Sequence, residues 1–131
     1  MKLTLSLPFT LTTWDGQADR SPPEGAPELA AVVLAKQYAG DEVEATATGH
    51  AITTRGDLGA SYVAQERIVG TLLGRTGSFV LEHGASMGEG IETVQWARVV
   101  VGSGTGDLAG LTGSGFVEHQ LLTLEADMPE P

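Results

Sequence analysis

Period-two alternation limits what this chain can fold into. Residues 3–13 place Leu3, Leu5, Leu7, Phe9 and Leu11 on one side, with polar residues and Pro8 between them. That is the pattern of a half-buried strand, and no helical stripe of comparable length competes with it. Pro8 lacks a backbone donor and predicts an edge or a bulge. Residues 15–27, with Pro22-Pro23 and Gly16 and Gly25, read as a loop. Residues 42–53, 60–69, 72–83, 91–101 and 116–127 read as further strands, separated by Gly56-Asp57, a loop at 84–90 and the glycine-rich stretch 102–115. Seven or eight short strands at regular spacing predict a single all-β domain over 1–131, a closed antiparallel barrel or a sandwich, with a frayed tail at 128–131. Residues 27–39 stay ambiguous. Pro27, the Leu29/Val32/Val33 spacing and Gly40 fit a short helix, whereas Ala30, Val32, Leu34, Lys36 and Tyr38 fit one strand face.

Composition narrows the function classes. Seventeen acids against seven bases give a net charge of −10, which disfavours nucleic acid as a partner. With no cysteine there are no disulfides or thiolate metal sites. His50, His83 and His119 stand singly, so neither their spacing nor that of the acids suggests a metal. No apolar run reaches the roughly 20 residues of a spanning helix, and the N-terminus lacks the features of a secretory leader. A cytoplasmic protein with no membrane association is the expectation, and a homo-oligomer is left open.

Two short motifs suggest chemistry and are weakened by their surroundings. Gly84-Ala85-Ser86-Met87-Gly88 fits the nucleophile turn of a serine hydrolase, with Asp107 and His119 downstream in the right order. The alternation of helices and strands that such a turn requires is missing, so a hydrolase using Ser86 ranks third. Gly104-Thr105-Gly106-Asp107-Leu108-Ala109 fits a dinucleotide loop, yet Gly110, Gly113 and Gly115 oppose the helix it needs. Bends and close strand contacts are the better use for Gly104 and Gly106. No cofactor is expected.

The polar residues on strands carry the stronger signal. Tyr62 and Glu66 share a face of one strand; Arg75, Phe79 and His83 share a face of its probable neighbour. Apolar walls with a few aimed polar groups describe a ligand cavity. Tyr62, Glu66, Arg75 and His83 are therefore the candidate catalytic set, with Phe79 and Trp14 as ligand-binding walls. In that set Glu66 is the base or acceptor, Arg75 holds an anionic or carbonyl oxygen, and His83 shuttles a proton. A one-residue bulge would turn either face outward.

Several blocks also carry a family resemblance. The run from Val99 to Gly113, the blocks 61–72 and 74–83, the segment Lys36-Gln37-Tyr38-Ala39-Gly40-Asp41 and Trp14 resemble a bacterial family of uncharacterised small proteins. Gly102 departs from the family's usual proline, and residues 118–124 match its ending less well. The resemblance implies an allene oxide cyclase-like barrel of calycin type, which makes 28–38 a strand. It also implies an interior that binds a hydrophobic small molecule, in a cofactor-independent cyclase or isomerase. A non-catalytic binding or storage barrel is the alternative.

Overall fold

The computed structural model describes residues 1–130. Nine strands make one antiparallel sheet: β1 (Lys2–Ala18), β2 (Glu28–Ala39), β3 (Val43–Arg55), β4 (Gly59–Leu72), β5 (Arg75–Gly88), β6 (Val94–Val99), β7 (Thr105–Gly106), β8 (Thr112–Glu118) and β9 (Leu121–Asp127). Neighbours run β4-β3-β2-β1-β9-β8-β6-β5-β7, and β4 also pairs with β5. Eight strands therefore close a ring, and β7 is a two-residue addition on β5 at Gly77 and Ser78. Closure leaves few free edges, as a sheet built from long alternating strands requires.

Residues 28–39 are strand despite the local helix signal. Pairing with β1 on one side and β3 on the other outweighs a weak helical preference. β1 is longer than its alternation suggested and takes in Asp15-Gly16, so the connecting loop is shorter than 15–27. Its first half pairs with β9 as far as Pro8, and its second half pairs with β2 from Phe9 onward. Pro8, lacking an N–H, stands where the strand changes partner; the bulge itself comes between Leu11 and Thr13.

Three other expectations are corrected. The loop placed at 84–90 is strand as far as Gly88, because β5 keeps its ladder with β4 through Gly59. The glycine-rich stretch 102–115 holds β7 and the start of β8, and the strand read at 116–127 is divided between β8 and β9. The tail is not frayed at 128: Met128 is buried, and its N–H donates to the Met1 carbonyl. Residue 131 of that tail lies outside the described residues.

The interior has two apolar parts. The larger gathers Leu5, Leu7, Tyr38, Ile68, Phe79, Leu81, Leu122 and Leu124; the smaller gathers Val32, Leu34, Ala51 and Ala64, with Tyr62 against them. In the larger part a void of about 10 Å³ remains beside Tyr38 and Phe79, no more than one water needs. That end is filled. The other end turns Val32, Leu34, Ala51 and Ala64 inward with Tyr62 against them, and β1 is exposed there from Thr10 to Ala18. No helix of the described residues is long and apolar enough to cross a membrane.

Candidate active site

Between the two apolar parts lies a polar layer. β2 turns Ala30, Val32, Leu34, Lys36 and Tyr38 inward; β4 turns Tyr62, Ala64, Glu66 and Ile68 inward; β5 adds His83. β3, between β2 and β4, contributes Val43 and then Ala45, Ala47, Gly49 and Ala51 to the same face. This run of small residues leaves room for the long side chains on either side. Gly49 pairs with Glu66, and a Cβ there would come within 2.1 Å of the Gln65 carbonyl oxygen and 2.9 Å of the Glu66 Cβ. A larger residue at 49 would push Glu66 out of position.

Glu66 is the hub. Its relative exposure is 1%, against 5% for Lys36 and 3% for His83. Lys36 Nζ donates to Oε2 at 2.7 Å, and Tyr38 Oη donates to Oε1 at 2.6 Å. His83 Nε2 lies 2.8 Å from Oε2, and Tyr62 Oη lies 2.9 Å from His83 Nδ1. The Lys36 ammonium also sits 4.1 Å from the centre of the Phe9 ring, a favourable cation–π placement. Every buried side-chain nitrogen and oxygen among the described residues has a hydrogen-bond partner.

The electrostatics follow from these contacts. Burial alone would raise the Glu66 pKa, but the His83 hydrogen bond and the Lys36 charge outweigh it and bring it down to about 2. Glu66 is a carboxylate at neutral pH. Burial, then the Glu66 charge, raise the Tyr62 pKa, and the same two causes push Tyr38 well above its ordinary value. Both tyrosines are therefore hydroxyl donors. The ionised carboxylate only accepts, so His83 Nε2–H donates to Glu66; in the tautomer with a single ring proton, Nδ1 then accepts from the Tyr62 hydroxyl. The result is a hydroxyl–imidazole–carboxylate line, with Tyr62 its least buried member.

The structure brings Tyr62, Glu66 and His83 together and leaves the other candidates apart. Arg75 is eight residues from His83 along β5, roughly 26 Å of extended chain, and donates to the Pro129 carbonyl. Sharing a strand face gave it the same side but not the same level: Glu66 pairs with Leu81, whereas Arg75 pairs with Leu72. Phe79 pairs with Ile68 in the filled end and lines no open space beside Tyr62. Trp14 pairs with Leu34, the inward phase of β1 beyond the bulge, and is half-exposed. Of the two roles expected for Glu66, base or acceptor, the contacts display the acceptor, since Lys36, Tyr38 and His83 all engage its carboxylate. Lys36 and Tyr38 were missed as members of the layer. Their signal was a lysine on the inward phase of an otherwise apolar strand face.

Ser86 pairs with Ser61 and Val94 on the outer phase of β5, and Asp107 packs at Thr76. His119 lies in the β8–β9 turn, so the hydrolase trio is not assembled. Gly104 and Gly106 open no helix. Gly106 has φ +58°, and a Cβ on Gly104 would meet the Leu108 carbonyl oxygen at 2.1 Å. Among the described residues no group of three or more His, Asp or Glu side chains is placed to hold a metal ion.

Comparison with known proteins now decides the kinship. A family model described as a protein of unknown function, DUF3224, matches residues 6–121. The chain belongs to the DUF3224 family. A DUF3224 protein of unknown function from Shewanella oneidensis MR-1, solved by crystallography, is 28% identical over all of both chains with a TM-score of 0.83. No curated protein matches the chain. A second DUF3224 protein thus shares the closed eight-strand arrangement described above.

Proposed function

We propose that this DUF3224 protein binds a small hydrophobic molecule at the end of the ring beside Tyr62, where the second half of β1 is exposed, and exchanges a proton with it through Tyr62. The chemistry is that of a cofactor-independent isomerase or cyclase. Tyr62 is the acid or base that meets the ligand. His83 relays the proton, and Glu66 holds the imidazole in the right tautomer and stabilises the imidazolium that forms. Lys36 and Tyr38 fix Glu66, and Trp14 stands at the rim as an apolar wall. The allene oxide cyclase-like, calycin-type reading of the barrel belongs with this proposal, since such an enzyme works by folding a reactive chain against a few polar groups.

One observation carries the reading: the line from Tyr62 Oη to His83 Nδ1 and from His83 Nε2 to Glu66, at 2.9 and 2.8 Å. A buried ionic layer contributes less stability than apolar packing of the same volume, so its presence calls for a use beyond folding. Deuterium exchange from solvent into an apolar enolisable ketone, 2-tetralone, tests it. Exchange above the buffer rate is expected, falling by roughly 10²-fold or more in Tyr62→Phe. A buffer-level rate with the unaltered protein contradicts the acid–base role. Saturable ketone binding without exchange, observed by NMR line broadening, would favour the storage or binding reading instead.

A further inference from the structure

The seam between β6 and β8 is the shortest ladder of the ring, with Ala97 paired to Gly115 and Arg98 to Ser114. One residue further along on each strand come Trp96 and Phe116. Both belong to the outer phase, and they are 37% and 38% exposed. Between them runs an open groove of about 500 Å³, whose outer-phase walls also include Arg98, Ser114, Thr123 and Glu125. Trp96 is seated over Gly84, where a Cβ would come within 3.0 Å of the indole nitrogen. Arg98 is steadied by a 3.2 Å bond from Nε to Glu82. The groove therefore offers a seated indole, a second exposed aromatic ring and a border of hydroxyl, guanidinium and carboxylate.

Each part of that chemistry selects a ligand. Exposed aromatic faces suit flat C–H surfaces. A border with both signs of charge and two hydroxyls suits a neutral molecule with many hydroxyl groups, which can donate to Glu125 and accept from Arg98. A phosphate or carboxylate would meet Glu125 as well as Arg98, and a wholly apolar ligand would desolvate the border without return. Sugars with all hydroxyls equatorial put their C–H faces above and below the ring and their hydroxyls at the edge. A β-linked chain of such units is also a flat ribbon that fits an open groove. We propose that the Trp96–Phe116 groove binds a β-1,4-linked glucose oligosaccharide, independently of the interior polar layer.

The chain has two tryptophans, so Trp14→Phe leaves Trp96 as the sole indole reporter. Titration of that variant with cellotetraose should give a saturable change in emission. Adding Phe116→Ala or Arg98→Met, both at exposed positions, should weaken the apparent affinity roughly tenfold each while the far-ultraviolet spectrum stays that of the parent. Maltotetraose, α-linked and curved, should bind more weakly. No saturable change with cellotetraose overturns the proposal, as does binding that neither substitution weakens or a preference for maltotetraose.

Discussion

At the scale of single residues, Glu66 couples stability to pH. Its folded pKa of about 2 lies below its ordinary value of 4.5. A depressed carboxylate contributes stability that is fully present above the unfolded value and is lost as pH falls through the folded one. The window is therefore pH 4.5 down to 2, and the contribution is about 3 kcal/mol. Urea midpoints measured across that window should fall for the parent, and Glu66→Gln should remove this component of the acid limb. At neutral pH Glu66→Gln leaves the Lys36 charge buried without its partner, at a cost of roughly 3–5 kcal/mol. Lys36→Met should cost less, because Tyr38 and His83 still donate to the carboxylate. The double variant should be more stable than Glu66→Gln alone. An additive result in a double-mutant cycle would mean that the 2.7 Å contact carries no coupling.

At the scale of the element, β3 sets the width of the polar layer. Gly49→Ala puts a methyl group against the backbone of β4, and the closest atom is a carbonyl oxygen that cannot rotate away. Destabilisation of roughly 2 kcal/mol or more should follow, together with a shifted Tyr62 environment. A variant with unchanged thermal midpoint and unchanged Tyr62 ring resonances would show that β3 does not govern the spacing. Much of this level could be read from the amino acids. Alternation identified β1 and grouped Tyr62 with Glu66 on one face of β4, because a half-buried strand must alternate, and left open which face turns inward. What alternation does not give is height along the ring. Arg75, Phe79 and His83 share a face, yet their levels depend on ladder registers that only pairing decides. The ends of β1 and β5 were equally hidden. Asp15-Gly16 and Gly84–Gly88 carry turn-forming residues that the ladders nevertheless hold extended.

At the scale of the whole molecule, the polar layer divides the larger apolar cluster from the smaller one, and the ring holds both together. Closure depends on β1 meeting β9, strands at opposite ends of the chain. The layer is in turn assembled from β2, β4 and β5, so its geometry exists only in the closed ring. Lys36 and Tyr38 escaped notice for that reason: they are distant in sequence from Glu66 and become its neighbours through β3. The central claim is that Tyr62 presents the His83–Glu66 pair to a ligand entering from the Trp14 side. Titration with a neutral apolar probe, N-phenyl-1-naphthylamine, followed by ¹⁵N resonances of the His83 ring, tests it most directly. Before titration the account predicts a proton on Nε2 and none on Nδ1; with probe it predicts a saturable shift of Nδ1 that Tyr62→Phe abolishes. A ring protonated on Nδ1, or a bound probe that leaves the His83 ring unmoved, would contradict it.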